Sequence, residues 1–261
     1  MLIVLSPAKR LEWDVPHDTV QRPEFQRDAN ILAGHARQLS LQDLKSLMDL
    51  SDDLAKLNRD RFRAMENAPD IDNARPAVLT FAGDTYQGLE AETLDDAALD
   101  FAEGHLRILS GLYGVLRPMD SIQAYRLEMG SKLKSRRGKD LYNFWGDTIA
   151  QALNDQAADL GTDVLVNCAS QEYFGAVDRD ALKLRVITPR FLEEGPKGPR
   201  IVSFHAKRAR GAMARFICEH RLTDPDALRD FDAGGYVYSE ELSEPDAPAF
   251  YRSEAAAANA A

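Results

Sequence analysis

Five short apolar runs alternate with amphipathic stretches along the chain. Leu2–Leu5, Ala77–Phe81, Val164–Cys168, Leu184–Ile187 and Ile201–Phe204 are mostly rich in β-branched residues and end at turn or polar residues, the pattern of buried strands. Helical periodicity occupies roughly 27–39, 40–48, 51–66, 96–109, 139–160 and 206–221. Asn73–Pro76 and Glu194–Pro199 are loops by composition. With no dividing linker, internal repeat or heptad run, the pattern predicts one α+β domain over 1–252: a mixed sheet flanked by helices. The alanine-rich tail, 253–261, has no packing pattern and is expected to fray.

The helix at 206–221 can be projected at 100° per residue. Ala209, Met213, Phe216 and Ile217 form its core stripe, and Lys207, Arg208 and Arg215 point away. Arg210 falls at the stripe's edge, where a guanidinium needs a partner: a core-edge acid in one reading, a ligand in the other.

Three strand ends look alike. Leu2–Leu5 runs into Ser6-Pro7-Ala8-Lys9, Val164–Cys168 into Ala169-Ser170-Gln171-Glu172, and Ile201–Phe204 into His205-Ala206-Lys207-Arg208. If these strands run parallel in one sheet, Lys9, Ser170, Glu172 and Lys207 meet at its carboxyl edge and suit an anion such as phosphate. The simpler reading makes Ser170 an N-cap and the lysines solvated. A second constellation, His105 through Pro118, carries Gly111, Tyr113, Gly114 and Arg117, with glycines three apart after a helical stretch. It has the outline of a helix-hairpin-helix, whose hairpin offers backbone N–H groups to a DNA phosphate. A third, Tyr125 through Asp147, interleaves Tyr125, Arg126, Glu128, Lys132, Lys134, Arg136 and Arg137 with aromatic residues, as nucleic-acid contact requires. Trp145 reads as core within it.

Charge sharpens this picture. The net charge is −10, yet residues 104–145 hold eight Lys/Arg against three acids and residues 183–221 hold ten against three. These blocks at +5 and +7 leave −22 for the rest, so a local basic cleft coexists with an acidic whole. The five histidines show no paired ligand spacing, and Cys168 and Cys218 read as buried free thiols, so neither a metal nor a cofactor is expected. No targeting segment or membrane span is legible, and a cytoplasmic, monomeric protein is the expectation.

Ser6-Pro7-Ala8-Lys9, Gly83 through Leu89, His105 through Asp120, Tyr125 through Gly130, Gly138 through Asp147, Asn167 through Phe174 and Ser203 through Phe216 together resemble the YaaA family of peroxide-stress-resistance proteins. Arg10 departs from the small polar residue expected there. The resemblance implies a cytoplasmic protein that limits damage by holding down unincorporated iron. It implies a mixed α/β fold with a positively charged cleft, and binding of double-stranded DNA with the Gly111–Gly114 hairpin as contact element.

Two functional readings emerge. In the first, the protein binds DNA phosphates without strong sequence preference through Gly111, Tyr113, Gly114, Arg117, Lys132, Lys134, Arg136 and Arg137. In the second, it is an enzyme acting on a nucleotide, nucleobase or nucleic-acid end. Its catalytic groups would be Lys9, Glu128, Glu172 and Lys207, in a cleft formed with Ser6, Tyr125, Arg126, Ser170 and Arg210. A third, an interaction protein whose basic face docks an acidic partner, makes no use of the carboxylates.

Overall fold

A computed structural model describes residues 1–259. The chain runs β1 (Leu2–Leu5), β2 (Arg10–Leu11), α1 (Gln26–Arg37), α2 (Leu41–Met48) and α3 (Asp52–Ala64). It continues with β3 (Arg75–Pro76), α4 (Ala77–Thr80), β4 (Phe81–Ala82), α5 (Asp84–Leu89) and α6 (Asp96–His105). Next come β5 (Leu106–Ser110), β6 (Gly114–Leu116), β7 (Ser121–Ile122), α7 (Leu141–Trp145) and α8 (Thr148–Asp159). The chain ends with β8 (Val164–Cys168), α9 (Gln171–Phe174), β9 (Arg185–Ile187), β10 (Arg190–Glu193), α10 (Ser203–Glu219), β11 (Val237–Glu244), β12 (Ala247–Arg252) and α11 (Glu254–Asn259).

The main sheet has the order β6-β5-β1-β8-β9. β5, β1, β8 and β9 are parallel, and only β6 runs the other way. Every residue of β1, β5 and β8 is buried, so apolar residues dominate without alternation and the polar exceptions Arg107, Ser110 and Asn167 are hydrogen-bonded. A smaller sheet, β10-β12-β11, closes the far end. There a buried ion pair, Arg252 with Glu193, accepts a further hydrogen bond from the Tyr236 hydroxyl. The α+β, single-domain expectation stands, with mixed sheets flanked by helices.

Local chemistry explains the helix starts. Ser40 and Asp43 form a capping box before α2, and Ser51, Asp95 and Asp140 cap α3, α6 and α7. α2 and α3 are joined by only three residues, with Asp49 in the left-handed region at φ 49°.

Several sequence expectations are corrected. Ala77–Phe81 is not a strand: Pro76 opens a helical turn, Thr80 donates its hydroxyl to the Pro76 carbonyl, and only Phe81–Ala82 is extended. The helix expected over 96–109 ends at His105, because Leu106–Ile108 pairs with Ile3–Leu5. The segment 105–118 is therefore a β-hairpin and not a helix-hairpin-helix. Gly146, at φ 49° and ψ −124°, splits the helix expected over 139–160. Ile201–Phe204 has no strand partner: α10 begins at Ser203, and Ile201 and Phe204 stay exposed. Within the tail Glu254–Asn259 forms α11, with the Ser253 hydroxyl accepting the Ala256 N–H, and positions 260–261 lie outside the described residues.

α10 crosses α5 and lies on β1 and β8. Two glycines make the crossing possible. A Cβ on Gly211 would stand 1.7 Å from the Thr85 carbonyl oxygen, and one on Gly88 would stand 2.0 Å from that of Arg208. Both obstacles are backbone, so no rotamer change relieves them. Gly211→Ala is expected to cost about 1–3 kcal/mol by forcing the helices apart, read as a lower urea midpoint. Gly34→Ala, with nothing within 4 Å of its Cβ, is expected to leave that midpoint unchanged or raise it.

Candidate functional site

The parallel register Leu5↔Cys168 sets the ends of β1 and β8 side by side. The polar residues just beyond the two strands therefore meet. The Ser170 N–H donates to Ser6 Oγ at 2.9 Å, and the Ser6 hydroxyl donates to Ser170 Oγ at 3.3 Å. Ser170 Oγ also accepts the Tyr173 N–H at 3.4 Å, so it is an N-cap as expected. Tyr86, on α5, donates its hydroxyl to the Ser6 carbonyl at 3.2 Å. Tyr86, Tyr125 and Tyr173 lie close enough to influence one another's ionisation, and burial pushes all three phenols up. They are uncharged hydrogen-bonding walls at any ordinary pH. The Tyr125 hydroxyl is held 2.6 Å from Ser110 Oγ.

Beside this edge runs a largely extended segment that joins neither main sheet and is broken by a turn in which the Ser131 N–H donates to the Glu128 carbonyl at 3.0 Å. From 125 to 134 its burial alternates: Tyr125, Leu127, Met129, Ser131 and Leu133 face in, while Gly130, Lys132 and Lys134 are exposed and Arg126 and Glu128 half-buried. This is the period of two of an extended chain. Glu128 clamps two cations, with Oε2 2.7 Å from Lys9 Nζ and Oε1 3.0 Å from an Arg126 guanidinium nitrogen. Arg61 of α3 lies beside Arg126. Desolvation first, and then that neighbouring cation, lower its pKa. Glu172 accepts the Gly130 N–H at 2.9 Å, and its carbonyl accepts the Tyr142 hydroxyl at 3.0 Å. Glu172 thus fastens the segment to α9.

α10, packed on β1 and β8, brings further cations to this edge. Lys207 is 53% exposed and reaches Asp84 of α5 only at 4.0 Å. Arg210, one turn further on, is half-buried. Desolvation lowers its pKa, and the one group that offsets this is the Cys168 thiol. Among the described residues it has no carboxylate within ion-pair distance, so the core-edge acid allowed by the sequence is not its partner.

Ser6, Lys9, Tyr125, Arg126, Glu128, Ser170, Glu172, Lys207 and Arg210 thus lie around the carboxyl edge of the sheet. Lys207 arrives there from a helix rather than from a strand end. The DNA-contact set divides. Lys132, Lys134, Arg136 and Arg137 are exposed. Arg137 pairs with Asp28 of α1 and stacks 4.5 Å over the Phe144 ring. Gly111, Tyr113 and Gly114 are buried. Trp145 donates its indole N–H to the Gly111 carbonyl and packs on Gly114, where a Cβ would meet the ring at 2.7 Å. Those two glycines serve close packing, not a phosphate. Arg117 is tied to Asp120 at 2.8 Å and closes the turn after β6.

Sequence reasoning missed Arg61, Asp84 and Tyr86. Asp84 and Tyr86 lie within a segment matched to the family, but nothing in their spacing signals where α5 packs. Among the described residues no three His, Cys, Asp or Glu side chains gather as metal ligands, and no helix is long and apolar enough to cross a membrane.

A small α+β protein with cations gathered at the carboxyl edge of a mostly parallel sheet is the class these features define. The family profile described as peroxide stress protein YaaA matches residues 1–242. A UPF0246 protein of Ruegeria pomeroyi is 65% identical over 97% of this chain and 98% of its own length. UPF0246 proteins of Jannaschia sp. and Dinoroseobacter shibae are 59% and 56% identical, covering 98% and 100% of this chain and 98% of each relative. The chain belongs to the peroxide stress protein YaaA family.

Cys168 and Cys218 are both buried, and burial pushes each thiol from 9.0 up to about 12. A folded pKa above the unfolded value favours the protonated native form. That stabilisation is complete below about pH 9 and is lost as pH rises towards 12. Alkylation by iodoacetamide at pH 8 is therefore expected to be slow for the native protein and fast in denaturant, and the urea midpoint is expected to fall above pH 9. Rapid native labelling of Cys168 would show that the thiol is accessible after all.

Proposed function

We propose that this peroxide stress protein binds the phosphate backbone of double-stranded DNA through the basic edge at 126–139, without strong sequence preference, and so helps limit iron-driven oxidative damage. The observation that carries the reading is the alternation of the extended segment. It turns Lys132 and Lys134 to the surface, about two residue rises or roughly 6.6 Å apart. Arg136 and Arg137 come next along the chain. Among the described residues Lys132, Lys134 and Arg136 enter no ion pair. Exposed cations that follow closely along the chain and are not already neutralised suit a row of phosphates.

The contact does not run through the Gly111–Gly114 segment, which is a β-hairpin. α2–α3 is a helix pair around a tight hairpin, and α3 brings Arg61 to the edge of the same cleft. Damage limitation then operates at the DNA, by occupying the sites where reactive iron would otherwise do harm. The enzyme alternative asks Glu128 or Glu172 to move protons. Both carboxylates are already committed, one to Lys9 and Arg126 and the other to the Gly130 amide. That favours binding over acid–base chemistry.

Titration of a short DNA duplex at several salt concentrations tests this. Wild type is expected to bind, with log affinity falling against log salt by about 0.9 per phosphate contacted. Lys134→Glu with Arg136→Glu is expected to weaken binding about tenfold or more and to flatten the slope by about 2. No binding at about 50 mM salt, or an unchanged double variant, removes the reading.

A further inference from the structure

Around the ends of β1 and β8 the hydrogen bonding is one-sided. Ser6 and Ser170 share one hydrogen bond between their hydroxyls, and Ser6 Oγ also accepts the Ser170 N–H. Whichever hydroxyl donates across that pair, the proton of the other has no acceptor among the described residues. Arg210 brings a half-buried guanidinium with no carboxylate partner. Lys207, one helical turn away, holds Asp84 only loosely at 4.0 Å. The carbonyl of Ser6, an acceptor at the same strand end, is already taken by Tyr86. Around the serine pair itself the uncommitted groups are therefore donors, and two of the nearby donors are cationic.

We infer that this edge is a binding site for a small phosphoryl oxyanion, distinct from the basic edge that faces DNA. Arg210 and Lys207 supply charge, and the Ser6–Ser170 pair supplies a neutral donor. The assignment rests on three independent elements meeting at one place. Register brings β1 to β8, so that Ser6 reaches Ser170. α10 packs on both strands, and its Arg210 lies beside Cys168, two residues before Ser170. The glycine crossing fixes α10 against α5, which carries Tyr86 and Asp84. A guanidinium kept partly out of water without a partner is costly, and a tetrahedral oxyanion satisfies its planar fork and the free hydroxyl together. The buried tyrosines stay uncharged, so they do not repel such an anion.

The ligand chemistry is a phosphoryl group, which could arrive as free phosphate or as the monoester of a small molecule. Calorimetric titration of the full chain at low ionic strength, with inorganic phosphate in one arm and a nucleoside 5′-monophosphate in the other, separates these sources. Saturable binding at one site per chain is expected in at least one arm, and the tighter arm names the source. Arg210→Ala is expected to weaken that binding about tenfold or more, since a charge-assisted bond is lost. Arg210→Lys should restore part of it. Lys207→Ala, at an exposed position that folding does not need, should weaken it several-fold and serves as the check if Arg210→Ala does not fold. Duplex binding measured on the same proteins keeps the two sites apart: Arg210→Ala should retain it even where phosphate binding is lost. No saturable binding in either arm overturns the inference. So does undiminished binding by folded Arg210→Ala and Lys207→Ala.

Discussion

The close crossing of α5 and α10 is the constraint on which the cleft depends. At Gly211 and Gly88 the two backbones approach to distances that no side chain permits. This contact does more than fill space. It fixes the height of Tyr86 against the end of β1, where its hydroxyl holds the Ser6 carbonyl. It also fixes the phase of α10, in which Ala209, Met213 and Ile217 enter the core while Arg210 stays half-buried at its edge and Lys207 is exposed beside Asp84. A helix pair spaced by larger residues would sit farther apart, commonly about 8–10 Å between axes. Arg210 would then be carried away from Cys168 and the end of β8.

Much of the frame was legible because β1 and β8 are buried on both faces and so read as unbroken apolar runs. Their polar endings Ser6, Lys9 and Ser170 were legible for the same reason. The misreadings have specific causes. Leu106–Ser110 follows α6 without a loop, and a fully buried run carries no periodicity to separate strand from helix. Ile201–Phe204 is β-branched and apolar enough to suggest a strand, but Ile201 and Phe204 are exposed and find no neighbour. Gly111 and Gly114 suggested an approach to a ligand, but the close approach they permit is to the Leu127 backbone and to the Trp145 ring respectively. Arg61 and Tyr86 carried no sequence signal. They reach the cleft from α3 and α5, and only tertiary packing brings those helices to it.

Electrostatics alone would not have separated the chain's two cationic surfaces. The sequence places +5 and +7 in two blocks within a net charge of −10. The fold draws members of both blocks to one side of the sheet, Arg126 from the first and Lys207 and Arg210 from the second. It then treats them differently. Lys132, Lys134 and Arg136 are left in water, where screening limits them to about 10 Å but leaves them free to follow a polyanion. Arg210 is partly withdrawn from water, where a single oxyanion would be felt more strongly and a polyanion could not follow.

The carboxylates in this region act as positioners rather than neutralisers. Glu128 serves two cations, Lys9 and Arg126, so the trio keeps a net positive charge, and Arg61 adds to it. Glu172 commits one oxygen to a backbone amide and holds the extended segment to α9. A lysine or arginine that is free in solution loses rotamer entropy when it binds, about 0.5–1.5 kcal/mol for each immobilised side chain. Clamping Lys9 and Arg126 on one carboxylate shifts part of that loss to folding. The clamp leaves both cations with donors to spare. An acidic protein can thus present a rigid positive edge, because the acids closest to that edge order its cations without matching them in number.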